Sequence, residues 1–194
     1  FVVTWQSASQ GDGSASIAGQ LFSKSGGKIS QEFLIQLEND RHSTTQQDPD
    51  VCSLADGGYV VAWQGGGHGS LVEGQRFDAN GNKVGSEFKV NDYSGSFQNY
   101  VSVSSITNGG FVATWETTSL NEGLYQSDIY AQVFDANSVK VGSEVKVNSY
   151  THADQTKPQV AKLEGGGFVV VWESEGQDGS SLDHYGQASS TGVY

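Results

Sequence analysis

The chain has 194 residues, with 22 acidic against 10 basic side chains and a formal net charge of −12. Nucleic acid and anionic membrane surfaces are not expected partners, because binding to either needs a basic surface. No run of eighteen apolar residues is present, so membrane insertion is not expected, and the length suits a single domain.

An aromatic and apolar pentapeptide that ends in Trp occurs four times, at residues 1–5, 59–63, 111–115 and 168–172. A fixed motif that recurs about every 50 residues is the signature of a repeat architecture. We therefore divide the single repeat domain, residues 1–194, into repeats at 1–45, 46–97 and 98–154 and a partial repeat at 155–194.

Each full repeat predicts four short strands, which we name A to D in chain order. In the second repeat, strand A lies around residues 51–54 and strand B is the Trp pentapeptide. Strand C surrounds Gln75, and strand D covers residues 87–91. Asp-Gly-Gly at 56–58 predicts a tight A–B hairpin, and residues 78–82 predict a C–D hairpin rather than a calcium loop. Short links make neighbouring strands antiparallel.

The polarity of these strands predicts the fold. Strand B is almost wholly apolar, which indicates cover on both faces, whereas strand D alternates charged and apolar residues as an outer edge strand does. The prediction is an all-β, β-propeller-like array of four-stranded antiparallel blades, with the first and last incomplete. A β-trefoil-like fold is the alternative, although the fourth Trp strand argues against it.

The chain starts inside strand B, which favours a piece of a longer array or a ring that closes with strands missing. Self-association through the incomplete terminal blades is a further expectation. We interpret the repeated Trp residues as packing between blades. The recurring glutamines are expected to satisfy backbone groups where strands diverge. Cys52, the single cysteine, is expected to be buried and unreactive.

Candidate binding residues come from the B–C and D–A loops, which differ in every repeat and share one face of a propeller. The candidates are the aromatic and polar side chains Tyr93, Phe97, Tyr100, Tyr125, Tyr150, Tyr185, Asp178, Asp183 and His184. Of these, Asp178 and Asp183 could also hold a hard cation such as calcium, because both supply carboxylate oxygens. No other cofactor is expected.

Evidence for catalysis is sparse, since no nucleophile elbow, zinc-binding helix motif or phosphate loop is present. Glu116 and Glu173 each follow a Trp directly, where the first two repeats have Gln6 and Gln64. Paired carboxylates are what a glycosidase needs, so a polysaccharide-acting hydrolase is an alternative function.

The repeats combine into a longer pattern, which is visible at residues 74–81, 84–91, 155–163, 166–174 and 177–180. This pattern resembles a repeat found in tandem in large secreted or surface proteins of bacteria and ciliates, often beside calcium-binding or adhesion modules. The resemblance implies an extracellular propeller-like array and supplies no catalytic residues. The leading prediction is therefore a non-enzymatic, lectin-like module that binds glycans or surface ligands, and the alternatives are a structural or adhesive segment and a hydrolase.

Overall fold

A computed structural model describes residues 1–8, 15–35, 46–65, 71–92, 96–121, 124–176 and 191–193. These ranges contain no helix that could cross a bilayer. Their strands, in chain order, are β1 (Val2–Ala8), β2 (Ala15–Leu21), β3 (Phe33–Leu34), β4 (Gln47–Ser53), β5 (Tyr59–Gly65), β6 (Leu71–Phe77), β7 (Lys83–Lys89), β8 (Phe97–Ser105), β9 (Phe111–Asn121), β10 (Leu124–Phe134), β11 (Lys140–Lys146), β12 (Gln155–Lys162), β13 (Phe168–Glu175) and β14 (Thr191–Val193).

The strands form four separate antiparallel sheets, which we number blades 1 to 4. Blades 2 and 3 have the strand orders β4-β5-β6-β7 and β8-β9-β10-β11. Blade 1 is β1-β2-β3 and blade 4 is β12-β13-β14, each with three strands among the described residues. The β-propeller-like array of four-stranded antiparallel blades is thus confirmed, and the trefoil alternative is not needed.

The apolar core lies between the blades. Every residue of β5 is buried, and its side chains alternate between two clusters. Val61 and Trp63 belong to a cluster shared with blade 1, and Val60 and Ala62 belong to one shared with blade 3. Trp63 and Trp115 are 0% and 1% exposed, so the packing role predicted for these two Trp residues is confirmed. A blade therefore needs a neighbour on each face to bury its B strand.

The recurring glutamines of strand C satisfy backbone carbonyls, as predicted. Gln75 Nε2 donates to the carbonyl oxygens of Arg76 and Val84, at 2.8 and 3.3 Å. Gln132 makes the equivalent bonds to Val133 and Val141. Both glutamines lie where the pairing with strand D shifts register. Each amide therefore replaces ladder bonds that the irregularity removes.

The turns have the predicted chemistry. Gly57 and Gly109 have φ values of 86° and 80° in the A–B hairpins, where a side chain would be strained. In the C–D turn, the Asp78 carboxylate accepts bonds from the backbone N–H groups of Asn80 and Asn82, at 2.9 and 2.8 Å. This turn is the hairpin predicted from the sequence.

Strand A differs from its prediction. It begins at residue 47 in blade 2, four residues before the predicted start, so Pro49 lies inside β4. Pro158 likewise lies inside β12. The ladders shift register between Gln47 and Asp50 and between Thr156 and Gln159. A bulge tolerates proline because the missing N–H is not needed there.

The terminal blades leave apolar side chains uncovered. Val3 of β1 is 44% exposed, and Val169 and Val171 of β13 are 42% and 39% exposed. The equivalent positions in β5 are buried against a neighbouring blade. Self-association through these blades stays a prediction. Cys52 is half-buried, and burial raises the pKa of its thiol to about 12, which keeps the thiol protonated and unreactive.

A matched pair of residues links strands C and D in each of the first three blades. Gly19 is opposite Phe33, and Gly74 is opposite Phe88. In blade 3 the pair is Ala131 and Val145. A Cβ atom added to Gly74 would lie 2.6 Å from Phe88 Cζ. Glycine on strand C is therefore paired with phenylalanine on strand D, and the larger alanine is paired with the smaller valine.

We expect Gly74→Ala to destabilise the protein by about 1–3 kcal/mol, because Phe88 packs against Phe111 and Phe134 and cannot move away freely. Adding Phe88→Val recreates the blade 3 pair and should recover about 1 kcal/mol or more of the summed single effects. Urea unfolding of both single variants and the double variant measures this coupling. Strictly additive effects would contradict the pairing.

Candidate functional site

The A strands carry three residues with left-handed backbone conformation at equivalent positions. Asp48, Tyr100 and Lys157 all have φ of 51°, and each stands two residues after a recurring glutamine. A left-handed conformation costs a residue with a Cβ about 1–2 kcal/mol. All three lie at the register shifts of the A–B ladders, so a bulge accounts for the conformation, and because strained backbone is often found at functional sites we treat the three positions as candidates.

Successive A strands lie side by side and are joined by side-chain to backbone bonds. Asp50 Oδ2 on β4 accepts a bond of 2.8 Å from Val103 N on β8. Ser102 Oγ on β8 accepts one of 3.3 Å from Val160 N on β12. The A strands are therefore the innermost strands of the blades, and the left-handed residues face the centre of the array.

The three left-handed residues meet in one pocket of about 390 Å³, which we name the axial pocket. Asp48, Tyr100 and Lys157 are exposed in it, so their side chains are available to a ligand. Asp50 is half-buried and uses its oxygens to accept backbone N–H groups of Val51 and Val103. The complete lining is Asp48, Pro49, Asp50, Tyr100, Val101, Lys157 and Gln159.

Lys157 brings together the two glutamates predicted from the sequence. Its backbone N–H donates to Glu116 Oε2 at 3.3 Å, and its ammonium group pairs with Glu173 Oε2 at 2.9 Å. The ion pair with Glu173 raises the pKa of Lys157. Both carboxylates thus lie within reach of one pocket residue, but Glu173 is occupied with the Lys157 ammonium.

Glu116 is a buried carboxyl group, 5% exposed. Burial raises its pKa above the ordinary value of 4.5, although Ser127 Oγ donates to Oε1 at 3.0 Å and the Lys157 N–H donates to Oε2. Thr118 Oγ1 lies 3.2 Å from Oε1. Burial favours the protonated form of a carboxyl group, as it does for catalytic acids, whereas hydrogen bonds to the carboxylate favour the charged form; for Glu116 burial is the larger effect.

The equivalent residue in blade 2 shows that this position does not need a carboxylate. Gln64 accepts a bond of 2.8 Å from Gln47 Nε2 and donates one of 3.3 Å to Asn99 Oδ1 on the next blade. An amide therefore performs the bridging between blades. The bridge that Glu116 makes to Lys157 therefore does not by itself require a carboxyl group, which is costlier to bury than an amide.

The remaining predicted binding residues are placed differently from one another. Phe97 and Tyr125 contact each other, with ring centroids 6.4 Å apart, and Tyr100 lies in the axial pocket. Tyr150 instead donates its hydroxyl to the Gly176 carbonyl at 3.3 Å and packs against His152. Tyr150 therefore helps to hold the connection between blades 3 and 4.

The other predicted site residues, Tyr93, Tyr185, Asp178, Asp183 and His184, lie outside the described residues. The predicted calcium ligands are among them. Within the part of the chain that the structure describes, no group of three or more His, Cys, Asp or Glu side chains could hold a metal ion. Calcium binding by Asp178 and Asp183 stays a prediction.

Sequence reasoning missed Asp48 and Lys157 as site residues. A signal was present, because these positions vary among the repeats while the glutamine before them and the valine after them recur. The adjacent Pro49 and Pro158 mark the bulges that turn the side chains inward. A variable residue inside a constant strand, next to proline, was the available evidence.

No family model matches the chain, and no curated protein is similar to it in sequence. Solved structures do share its fold. A GH43 endo-arabinanase from Bacillus licheniformis has a TM-score of 0.55 and 12% identity, over 100% of this chain and 68% of its own. An arabinanase from Bacillus subtilis has a TM-score of 0.51 and 13% identity, over 86% and 60%.

A protein of unknown function from Dyadobacter fermentans has a TM-score of 0.62 and 13% identity, over 89% of this chain and 46% of its own. The chain thus spans 46% of this protein and 60% of the Bacillus subtilis arabinanase, less than two thirds of each. At such identities the similarity establishes the fold, which is the propeller-like array described above.

Two sequence-based predictions are corrected by these similarities. The predictions of a non-enzymatic, lectin-like binding module and of a protein without enzyme activity are wrong, because the structures that share the fold include glycoside hydrolases. The physical reason for the error is that the motif residues of the repeat are structural. The side chains that are available to a ligand are the variable ones, which the bulges turn into the axial pocket.

The backbone strain at Tyr100 can be measured. We expect Tyr100→Gly to be more stable than Tyr100→Ala by about 1 kcal/mol, because glycine adopts a φ of 51° without penalty. The same two substitutions at Tyr125, which lies in regular strand β10, should give the opposite order. Thermal unfolding of the four variants checks this, and the same order at both sites would contradict a strained Tyr100.

The raised pKa of Glu116 predicts a pH-dependent stability. Its contribution is fully present below the ordinary pKa of 4.5 and is lost as pH rises through the higher folded-state pKa. The free energy of unfolding of the wild type should therefore fall relative to that of Glu116→Gln between about pH 4 and pH 7. Urea unfolding at both pH values measures the difference.

A converse variant serves as the control. Gln64→Glu places a carboxyl at the equivalent, equally buried position of blade 2, so this variant should lose stability relative to the wild type over the same pH range. If the free energies of unfolding of the wild type and Glu116→Gln changed in parallel with pH, the pKa of Glu116 would not be raised.

Proposed function

We propose that the protein is a glycoside hydrolase that cleaves a polysaccharide at the axial pocket. The observation that carries the proposal is the convergence of three strained side chains on one pocket beside Glu116, a buried carboxyl with a raised pKa. A propeller-like fold that occurs in arabinanases supports it.

Hydrolysis of a glycosidic bond needs one carboxylic acid and one carboxylate. Glu116 takes the role of the acid, since burial favours its protonated form. Asp48, whose side chain is exposed in the axial pocket, takes the role of the base. Glu116 passes its proton to the leaving oxygen, Asp48 takes a proton from water, and the hydroxide adds to the anomeric carbon as the glycosidic bond breaks.

Lys157 and Tyr100 position the substrate in this scheme. The Lys157 ammonium is held by Glu173, and its backbone N–H holds Glu116. A change at Lys157 would therefore move both a pocket wall and the acid. Tyr100 is 44% exposed in the same pocket and offers a ring face and a hydroxyl to a sugar.

Arabinan is the first substrate to test, because two of the proteins with this fold are described as arabinanases. A carbohydrate partner is part of the proposal. An extracellular location also remains a proposal, which the resemblance of the repeat to secreted and surface proteins supports.

The test is release of reducing sugar from arabinan and from a panel of other polysaccharides. We expect Glu116→Gln and Asp48→Asn each to lower kcat by about 100-fold or more, the range of general acid–base catalysis. Glu116→Gln should also remove the alkaline limb of the pH–rate profile, because it removes the titrating acid. The amide is sterically similar and already serves in this position as Gln64 in blade 2.

Glu73→Gln is the matched control. Burial also raises the pKa of Glu73, but this residue is paired with Trp63 and Lys89 in blade 2, whereas Glu116 accepts a bond from Lys157 of the axial pocket. Its activity should stay within about twofold of the wild type. Equal losses of kcat in Glu116→Gln, Asp48→Asn and Glu73→Gln would indicate a general effect of removing carboxyl groups and would contradict the assigned roles. If the wild type hydrolysed no substrate, the proposal would be overturned.

A further inference from the structure

The β9–β10 hairpin of blade 3 is longer than its counterpart in blade 2. Strands β9 and β10 have eleven residues each, whereas β5 and β6 have seven. The extra length lies at the B–C end of the sheet, beyond Trp115. It therefore extends the blade on the side where β8 also begins.

One face of this hairpin continues outward from Glu116. Side chains two residues apart share a face of a strand, so Glu116, Thr118 and Leu120 form one row on β9. Thr118 is paired with Ser127 across the ladder to β10 and with Phe97 across the ladder to β8, and Leu120 is paired with Tyr125. All of these side chains are therefore on the face that carries Glu116.

The chemistry of this face changes in steps. Thr118 Oγ1 and Ser127 Oγ lie 2.9 Å apart, and Ser127 Oγ lies 3.0 Å from Glu116 Oε1, which forms a hydroxyl layer above the acid. Phe97 lies beside that layer, and Leu120 and Tyr125 lie beyond it; the three side chains are 44%, 64% and 58% exposed. We name these three residues the aromatic platform.

The platform begins at the level of Thr118, about 7 Å along β9 from Glu116. Its rings are 6.4 Å apart and inclined at 53°, so they present a shallow angled surface. Three large apolar side chains exposed together, one on β8 and two on the β9–β10 hairpin, are costly in water, and exposed apolar clusters often mark binding sites. Aromatic rings with hydroxyl groups beside them match a sugar, which has an apolar C–H face and a polar rim.

Resting on the hydrolase function proposed above, we infer that the aromatic platform binds the sugar units next to the bond that is cleaved. The substrate class is then an extended polysaccharide rather than a single sugar or a short glycoside. Phe97 and Tyr125 are positioning residues in this arrangement, because they hold the polymer while the carboxyl groups act one step further inward.

The test compares a polymer with a short chromogenic aryl glycoside of the same sugar. In the Phe97→Ala/Tyr125→Ala double variant, KM for the polymer should rise about tenfold, the loss expected when ring contacts of this size are removed. The kcat for the polymer and kcat/KM for the aryl glycoside should stay within about twofold, because the carboxyl groups are untouched.

Two further variants guard against a structural effect. Phe97→Tyr/Tyr125→Phe keeps both ring faces and should retain the wild-type KM. Val139→Ala removes an apolar side chain that is 59% exposed in the C–D turn of the same blade, and it should also have no effect. A wild-type KM for the polymer in the double alanine variant would overturn the platform while leaving the hydrolase proposal intact.

Affinity electrophoresis in gels that contain the soluble polysaccharide separates the two proposals. Retardation of the wild type that disappears in the double alanine variant supports the platform even if no bond is cleaved, in which case the hydrolase proposal alone fails. If the wild type and the double alanine variant are retarded equally, or if neither is retarded, the proposal that the platform binds polysaccharide is overturned. Sedimentation of the wild type tests self-association, since a dimer that the double variant abolishes would assign the platform to a second copy.

Discussion

Burial of strand B on both faces is the constraint on which the rest of the structure depends. A single sheet cannot cover Val60 and Trp63 at once, because these side chains point to opposite faces. Each blade therefore requires another blade on either side, and the repeat can be stable only as an array. The requirement also fixes the positions of the other strands, since stacking the B strands brings the A strands together at the centre and leaves the D strands at the periphery.

The central position of the A strands turns a local irregularity into a shared site. A bulge in one strand would merely redirect one side chain. Because the same bulge occurs in β4, β8 and β12, three redirected side chains meet in the axial pocket. The strain at Asp48, Tyr100 and Lys157 is offset by the packing of the surrounding strands. Chemically different residues at equivalent positions then give the pocket an acid, a phenol and an amine.

Glu116 and Gln64 occupy equivalent positions in blades 3 and 2 but differ in chemistry. In blades 2 and 3 the residue after the Trp bridges to the next A strand, and Gln64 does so with a neutral amide. Glu116 makes the same kind of bridge to Lys157 but adds a carboxyl whose charged form is disfavoured by burial. The scaffold tolerates either residue, so proton transfer could be added to one blade without altering the others. The exposed hairpin above Glu116 extends that difference outward along the same sheet face.

The sequence by itself determined the all-β class, the blade, and the roles of the Trp, Gln and hairpin Gly residues. These features recur in every repeat and depend on contacts within a blade or between identical neighbours, so a periodic pattern records them. Of the candidate site, the sequence indicated Glu116 and the aromatic residues Phe97, Tyr100 and Tyr125, but not the grouping that relates them. Only the tertiary structure decided that grouping, because it depends on left-handed bulges and on the approach of strands that are about 50 residues apart. Asp48 and Lys157 are polar residues in variable positions, and nothing short of the stacked blades shows that they face the same pocket.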